Sequence, residues 1–229
     1  MKRFVIGDIH GMPGALKQCL DRSGFNKEKD TLICLGDVCD RGLHVRESIE
    51  ELLSIKNLIF VMGNHDMWFL DWAKDKTYDP AWFDYGGRQT LESYHPNPIP
   101  KSHIDLLDNA HDYYLTDDNK LFVHAGINPE FTLENQTEED LFWDRNLVFK
   151  ALSVLYDPSI HNITGFDEVY IGHTPTTSLN GHYSDVPLQI KEIWMMDTGA
   201  GMGDKLTIMD IDTKEYWQSD AIVRGNKYL

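Results

Sequence analysis

Short apolar runs alternate with segments of helical periodicity through the first third of the chain. The runs predict strands at 3–7, 31–36 and 57–62. After each run, apolar residues recur every three or four positions, and this spacing predicts helices near 13–22, 45–54 and 66–74. A βαβαβα order is typical of a largely parallel sheet with helices packed against it.

The rest of the chain lacks this regular alternation. Segment 75–100 is rich in proline, glycine and aromatic residues, and we expect an irregular cap or substrate groove there, or a packed surface excursion. A helix is predicted near 101–110, a strand at 119–125, and a helix over 137–156 that breaks near 143–145. Short strand-like segments nearer the C-terminus predict an antiparallel second sheet packed on the first. They cover 168–172, 190–197, 205–212 and 214–218.

Composition and charge indicate which partners and which cell compartment to expect. The formal net charge is −16, and so acidic a surface repels nucleic-acid phosphates and anionic lipids. Cys19, Cys34 and Cys39 include no CxxC pair, which indicates reduced thiols. The first apolar run ends at Asp8, too early for an export signal, and no run is long enough to span a bilayer. Since there is no repeat or Ser/Gly linker, we expect one cytoplasmic domain over 1–229 that binds neither nucleic acid nor membranes.

Metal-ligand side chains follow five of the predicted strands. Open α/β sheets place their active sites at the carboxyl ends of their strands, so these side chains are expected to converge. Asp8 and His10 alternate on an extended chain, and they converge only if the strand ends there and Gly7 and Gly11 let the backbone turn. The candidate ligands are Asp8, His10, Asp37, Asn64, His124 and His173.

This donor set predicts a two-metal hydrolase. Mixed oxygen and nitrogen donors favour Mn²⁺, Fe or Zn²⁺ over Ca²⁺. Asp37 has two carboxylate oxygens and can bridge two cations, and Asn64, His124 and His173 can complete the second site. Two cations about 3.5–4 Å apart would clamp a phosphoryl oxygen and a bridging hydroxide. Two divalent cations opposite two carboxylates leave a local charge of about +2, which suits a phosphate monoester despite the acidic chain.

Four further residues have roles suggested by their type and position. His65 directly follows a candidate ligand and can protonate a leaving alkoxide. Asp40 can hold the His65 ring in one orientation and favour its cation. Arg41 and Arg145 offer planar guanidinium groups that match phosphate oxygens, although the acidic neighbour Asp144 can draw Arg145 away.

The motifs belong to one ordered set. They stand as GDIHG at 7–11, GDVCDRG at 36–42, GNHD at 63–66, VHAG at 123–126 and IGHTPT at 171–176. In this order they resemble the phosphoprotein phosphatase family of metallophosphoesterases, most closely its bacterial and phage serine/threonine phosphatase branch. The resemblance implies an α/β calcineurin-like metallophosphoesterase fold, in which two mixed β-sheets pack as a sandwich with flanking helices. It also implies two divalent metal ions, usually Mn²⁺, and direct attack by a metal-bridging hydroxide.

The same resemblance implies a role for each candidate residue. The first metal ion would be bound by Asp8, His10 and Asp37. The second would be bound by Asp37, Asn64, His124 and His173. The acid pair would be His65 with Asp40, and the phosphate would be bound by Arg41 and Arg145.

Two functions lead among the candidates. The intact Asp40–His65 pair and the two arginines favour a phosphatase acting on phosphoserine or phosphothreonine in proteins. The alternative is a symmetrical bis(5'-nucleosyl)-tetraphosphatase, a class that shares the ligand scaffold but often lacks the aspartate of the DRG motif. The acidic surface disfavours a phosphodiesterase or nuclease. The complete ligand set disfavours a non-catalytic binding module.

Overall fold

The computed structural model describes residues 1–179 and 184–222. The strands are β1 (Arg3–Ile6), β2 (Thr31–Cys34), β3 (Asn57–Phe60), β4 (Tyr113–Leu115), β5 (Lys120–Val123), β6 (Glu168–Ile171), β7 (Leu188–Ile190), β8 (Ile193–Met195), β9 (Thr207–Asp210) and β10 (Tyr216–Gln218). The α-helices are α1 (Pro13–Ser23), α2 (Val45–Leu53), α3 (Asn64–Asp75), α4 (Ala81–Asp84), α5 (Gly87–Tyr94), α6 (Lys101–Asp108) and α7 (Asn146–Ser153). A π-helix covers Glu139–Trp143, and short 3₁₀ turns cover Leu133–Asn135, Thr176–Ser178 and Ala200–Met202.

Within the described residues, the strands form two five-stranded sheets. The first has the order β10-β9-β1-β2-β3, with β1, β2 and β3 parallel and β9 antiparallel to both β1 and β10. The second has the order β4-β5-β6-β8-β7, with β5, β6 and β8 parallel and antiparallel strands at both edges. Both sheets are mixed, so the predicted fold class is confirmed.

Each sheet is buried on both faces. Successive side chains of a strand point to opposite faces, so Val5 lies between the sheets while Phe4 and Ile6 pack towards the helices. Between the sheets, the rings of Phe122 and Tyr170 stack with their centroids 4.7 Å apart. Apolar side chains of α1 and α2 cover the first sheet, and those of α7 cover the second. This layered packing fixes the strand ends from which the polar loops project.

The local predictions were partly wrong. Segment 75–100 is not irregular, because α4 and α5 lie within it. Residues 190–197 do not form one strand: the chain reverses at Lys191, where φ is +55°, and β7 pairs with β8. The C-terminal strands do not form a separate antiparallel sheet, because β9 and β10 extend the first sheet beside β1. The predicted break near 143–145 is confirmed, since the π-helix ends there and α7 begins.

Membrane insertion by a helix finds no support in the described part of the chain. Every helix there is too short or too polar to cross a bilayer.

Candidate active site

The loops that follow β1, β2, β3, β5 and β6 bring five of the predicted ligands into one connected cluster. Asp37 lies at its centre, with Oδ2 3.7 Å from His10 Nε2 and 3.5 Å from His124 Nε2. Asn64 Oδ1 lies 3.0 Å from His124 Nε2 and 3.1 Å from His173 Nδ1. The convergence expected at the strand ends is therefore present.

Two overlapping groups in this cluster have the spacing of metal ligands. In each group, one donor atom per residue lies within 4.8 Å of the others. The first group is His10, Asp37 and His65, and the second is Asp37, His124 and His173. Because Asp37 belongs to both groups, its carboxylate lies where the two groups meet.

Asp8 lies beside the second group. Its carboxylate oxygens accept the backbone N–H of His173 at 3.1 and 3.2 Å. Burial, reinforced by the nearby carboxylate of Asp197, raises the pKa of Asp8 well above its ordinary value. Burial likewise raises the pKa of Asp197 to about 6. A neighbouring cation would stabilise both carboxylates in their charged form, and the role of Asp8 as a ligand of the first ion stays a prediction.

Backbone carbonyl groups fix the tautomer of each candidate histidine ligand. A carbonyl oxygen only accepts hydrogen bonds, so the ring nitrogen that faces it carries a proton and the other nitrogen is left to bind a cation. The three bonds are His10 Nδ1 to the Cys39 oxygen at 2.8 Å, His124 Nδ1 to the Leu35 oxygen at 2.7 Å, and His173 Nε2 to the Trp143 oxygen at 2.8 Å. The second ring nitrogen of each residue, the one available to a cation, therefore faces the cluster.

The cluster has the character of a cation site. His10 Nε2 is buried and has no hydrogen-bond partner in the described residues. Burial lowers the pKa of His10 well below its ordinary value and that of His173 to about 3. Both imidazoles are therefore neutral and can act as metal ligands. Burial opposes a charge on His124, yet the carboxylates of Asp37 and Asp8 raise its pKa to about 9. The field there favours positive charge, which a divalent cation would supply in place of the proton.

Several residues of the site have a left-handed backbone conformation, which directs their side chains into the cluster. Such φ values cost about 1–3 kcal/mol at non-glycine residues and are concentrated at functional sites. They occur at His10 (+50°), Asp37 (+52°), Asp40 (+69°), Arg41 (+64°) and His173 (+61°). Gly11 (φ +66°) continues the first of these turns, as expected. Gly7 serves a different purpose, because a Cβ there would lie 2.4 Å from the Met196 carbonyl oxygen.

Asp66 ends the GNHD motif, but no role is predicted for it from the sequence. Its buried carboxylate accepts four backbone N–H groups, from Asp37 at 2.7 Å, Val38 at 3.0 Å, Cys39 at 3.1 Å and Gly63 at 3.2 Å. It therefore ties the loop after β2 to the start of α3. This contact fixes the position of the central carboxylate in the cluster.

Replacing Asp66 with asparagine is expected to weaken metal binding by about 10- to 100-fold, the range typical of groups that orient metal ligands. The amide nitrogen would face N–H donors and lose their hydrogen bonds. Titration calorimetry with Mn²⁺ measures the effect, and Asp71→Asn on the exposed side of the same helix is the matched control. Unchanged affinity in Asp66→Asn would show that the loop holds its shape without this carboxylate.

His65 and Asp40 form the predicted pair, with His65 Nδ1 2.6 Å from Asp40 Oδ2. Two side chains from segment 75–100 fix this carboxylate. Trp82 Nε1 donates to it at 2.9 and 3.0 Å, and Thr90 Oγ1 donates at 2.5 Å. Thr90 Oγ1 also accepts the Asp40 backbone N–H at 2.8 Å. All four residues are buried, so α4 and α5 complete the surroundings of the pair.

Replacing Thr90 with valine keeps the side-chain shape but removes the hydroxyl group. We expect a loss of about 1–3 kcal/mol in the free energy of unfolding, because polar groups of Asp40 lose a buried partner. We also expect kcat on a phosphoserine peptide to fall by about tenfold, since the pair is less well oriented. Thr90→Ser retains the hydroxyl and should behave like the wild type. Urea unfolding and steady-state kinetics test both effects, and a wild-type kcat in Thr90→Val would show that the hydroxyl does not position Asp40.

Arg41 contacts the acid pair directly. Its Nη2 lies 3.2 Å from His65 Nε2. Because a guanidinium group only donates, His65 Nε2 accepts this bond and the ring proton lies on Nδ1, facing Asp40. The guanidinium is only half-buried, so it remains accessible to an anion.

Arg145 is exposed at the start of α7, beside the second group. Its charge is one of the causes, after burial and His124, that lower the pKa of His173. The carboxylate of Asp144 accepts hydrogen bonds from the backbone N–H and the side-chain amide of Asn146. Arg145 therefore lies close enough to the cluster to affect its charge.

Comparison with known proteins places the chain in a family. The family described as calcineurin-like phosphoesterase matches residues 1–192. The symmetrical bis(5'-nucleosyl)-tetraphosphatase of Pseudomonas fluorescens is 26% identical, over 94% of this chain and 93% of that protein. The enzyme of the same name from Neisseria meningitidis is 24% identical, over 96% of each. A solved structure named provisionally as a diadenosine tetraphosphatase has the same fold, with a TM-score of 0.73 and 17% identity over 98% of this chain and 95% of the other.

These relatives are named for the alternative activity rather than for the leading prediction of a serine/threonine phosphatase. The wider prediction of a metallophosphoesterase is confirmed, and the family implies divalent metal ions, for which the two donor groups are the candidate ligands. The fold, the clustered donors and the family match agree: the chain belongs to the calcineurin-like phosphoesterase family.

Proposed function

We propose that the protein hydrolyses symmetrical dinucleoside tetraphosphates. Water adds across the central P–O–P bridge, so that one half takes the hydroxyl group, the other takes the proton, and two nucleoside diphosphates are released. The observation that carries this proposal is the alignment with the Pseudomonas fluorescens tetraphosphatase along nearly the full length of both chains. The clustered donors and the two arginines supply the matching chemistry for a polyanionic substrate.

The proposal includes two divalent cations, which we take to be Mn²⁺. The ligands of the first would be Asp8, His10 and Asp37, and those of the second Asp37, Asn64, His124 and His173. Cations bound in such a site lower the pKa of bound water and offset the charge of phosphoryl oxygens. Fe and Zn²⁺ suit the same mixture of donors.

The side chains around the cluster have separate tasks in the proposed reaction. Arg41 and Arg145 bind non-bridging phosphate oxygens through their planar N–H groups. His65 delivers a proton from Nε2 to the leaving group, and Asp40 holds the ring through Nδ1. Since Arg41 donates to His65 Nε2, it must move to a phosphate oxygen before that nitrogen can carry the proton. Substrate binding would thus prepare His65 to act as an acid.

A phosphatase acting on phosphoserine or phosphothreonine in proteins is the second candidate. It is favoured by the hydrogen bonds that fix the Asp40 carboxylate, which come from His65, Trp82 and Thr90. A serine or threonine alkoxide is a strong base and needs a proton as it leaves. A nucleoside diphosphate is a far weaker base, so a firmly oriented acid gives less advantage in the tetraphosphatase reaction.

Turnover of diadenosine tetraphosphate and of a phosphoserine peptide by the Mn²⁺-loaded protein separates the two candidates. We expect faster turnover of the dinucleotide and ADP as its sole nucleotide product. Chelation with EDTA should remove activity and added Mn²⁺ should restore it. Faster turnover of the peptide would replace the proposal with the second candidate, and release of ATP with AMP would exclude symmetrical cleavage.

We also propose that the enzyme is cytoplasmic and acts on soluble nucleotides, not on nucleic acids or membranes. The three cysteines are buried free thiols, as a reducing compartment would maintain them. The net charge of −16 repels nucleic acids and anionic membranes from the protein surface outside the cation site.

A further inference from the structure

Three aromatic side chains form a continuous group beside His65, here called the aromatic shelf: Trp68, Tyr85 and Trp143. The Trp68 ring meets the His65 ring edge to face, with centroids 5.2 Å apart. Trp68 also contacts Trp143 at 4.9 Å between centroids. Tyr85 stacks on Trp68 at 5.8 Å with an interplanar angle of 25°. The shelf therefore begins at the acid pair and extends outward through Tyr85.

Backbone contacts join the shelf to both sides of the site. The Trp143 carbonyl oxygen accepts the hydrogen bond from His173 Nε2 at 2.8 Å. Gly86, directly after Tyr85, lies against the backbone of Arg41, since a Cβ on Gly86 would lie 2.4 Å from the Arg41 nitrogen. A group bound on the shelf would thus be close to the residues proposed to hold phosphate.

Tyr85 differs in exposure from Trp82, which lies three residues earlier in the same segment. Trp82 is fully buried, whereas Tyr85 is 57% exposed while remaining stacked on Trp68. Stacking of this kind holds the tyrosine ring in a fixed plane and leaves much of it open to solvent. A flat, uncharged partner can stack there without any penalty from the acidic surface. Stacking of a nucleobase on an aromatic side chain is worth about 1–3 kcal/mol and suits every base.

We propose that the aromatic shelf stacks one nucleobase of the substrate, with Tyr85 as the contact face. The inference rests on the proposed dinucleotide substrate, whose bases flank the phosphate chain. It explains why an exposed aromatic ring adjoins a polar, charged site. Because stacking does not read hydrogen bonds of the base, the shelf should accept adenine and guanine nucleotides with similar affinity.

Titration calorimetry of the Mn²⁺-loaded protein with ADP and with pyrophosphate tests the shelf. The two probes share a diphosphate group, and only ADP carries a base. We expect Tyr85→Ala to weaken ADP binding by about tenfold and to leave pyrophosphate binding unchanged. Tyr85→Phe should keep wild-type affinity for ADP. Tyr78→Ala is the matched control, since Tyr78 is 47% exposed in the same segment and packs on Phe83 instead.

Two results would overturn the shelf proposal. One is ADP affinity unchanged in Tyr85→Ala, and the other is an equal loss for ADP and pyrophosphate, which would indicate a structural role for the ring. Neither depends on catalysis. The proposed function is judged separately, by turnover of diadenosine tetraphosphate, so the failure of one is distinguishable from the failure of the other.

Discussion

Asp37→Asn is expected to abolish measurable phosphoester hydrolysis and to lower the metal content of the purified protein. Asp37 belongs to both donor groups, and its Oδ2 lies 3.5 Å from His124 Nε2 and 3.7 Å from His10 Nε2. The substitution removes one negative charge from a buried cluster that needs it to hold cations. It also weakens an acceptor for the His65 backbone N–H, which bonds Asp37 Oδ1 at 3.0 Å.

Metal analysis by mass spectrometry and thermal unfolding with and without Mn²⁺ measure this effect independently of activity. A cation at 100 times its dissociation constant stabilises the folded wild type by about 2.7 kcal/mol, and the variant should lose this gain. Asp21→Asn, at an exposed position of α1, removes the same charge far from the cluster and serves as control. An Asp37→Asn protein with full metal content and turnover would show that the cluster is not the metal site.

The ligand positions were predictable because they depend on local patterns. Consecutive apolar residues mark each buried strand, and the polar residue at its end must project from the sheet edge. Asp37 and His124 are examples: Asp37 follows the carboxyl end of β2 in the first sheet, and His124 follows that of β5 in the second. Asp66 was missed although its motif was recognised, since its contacts are to backbone N–H groups that sequence does not display.

The role of segment 75–100 was not predictable. Trp82 and Thr90 lie 42 and 50 residues after Asp40, and only tertiary packing brings them to its carboxylate. The composition of this segment predicted an irregular loop. Helices of four to eight residues, such as α4 and α5, have too few turns to show a clear periodicity. Their position is set by the packing of Trp82 in the core rather than by helix propensity.

The placement of the C-terminal strands shows a different limit. Their apolar pattern predicts strands, but it does not say which strand each one pairs with. β9 pairs with β1, about 200 residues earlier in the chain, where the register joins Val5 to Met209. Such pairing depends on the whole sheet. The prediction placed β9 and β10 in the second sheet because they are close in sequence to β6 and β8, and it was wrong.

His65→Asn is expected to slow hydrolysis of phosphoserine peptides by about 10²- to 10⁴-fold, the usual contribution of a general acid. The loss should be much smaller for diadenosine tetraphosphate, whose leaving group is a nucleoside diphosphate. It should also be small for p-nitrophenyl phosphate, because nitrophenolate is a weak base. The dependence on the leaving group follows from the role of Nε2 and does not depend on which substrate is physiological.

The same variant separates an acid from a metal ligand. His65 lies in the first donor group, yet its Nε2 is 4.0 Å from Asp37 Oδ2 and its Nδ1 is engaged by Asp40 at 2.6 Å. If it acts as the acid, His65→Asn keeps its metal and loses rate only with poor leaving groups. If it is a ligand, metal content falls and all three substrates slow together. Full activity of His65→Asn on the phosphoserine peptide would exclude the acid role. Among the described residues, no other imidazole in the cluster has a carboxylate partner as close as Asp40 is to His65.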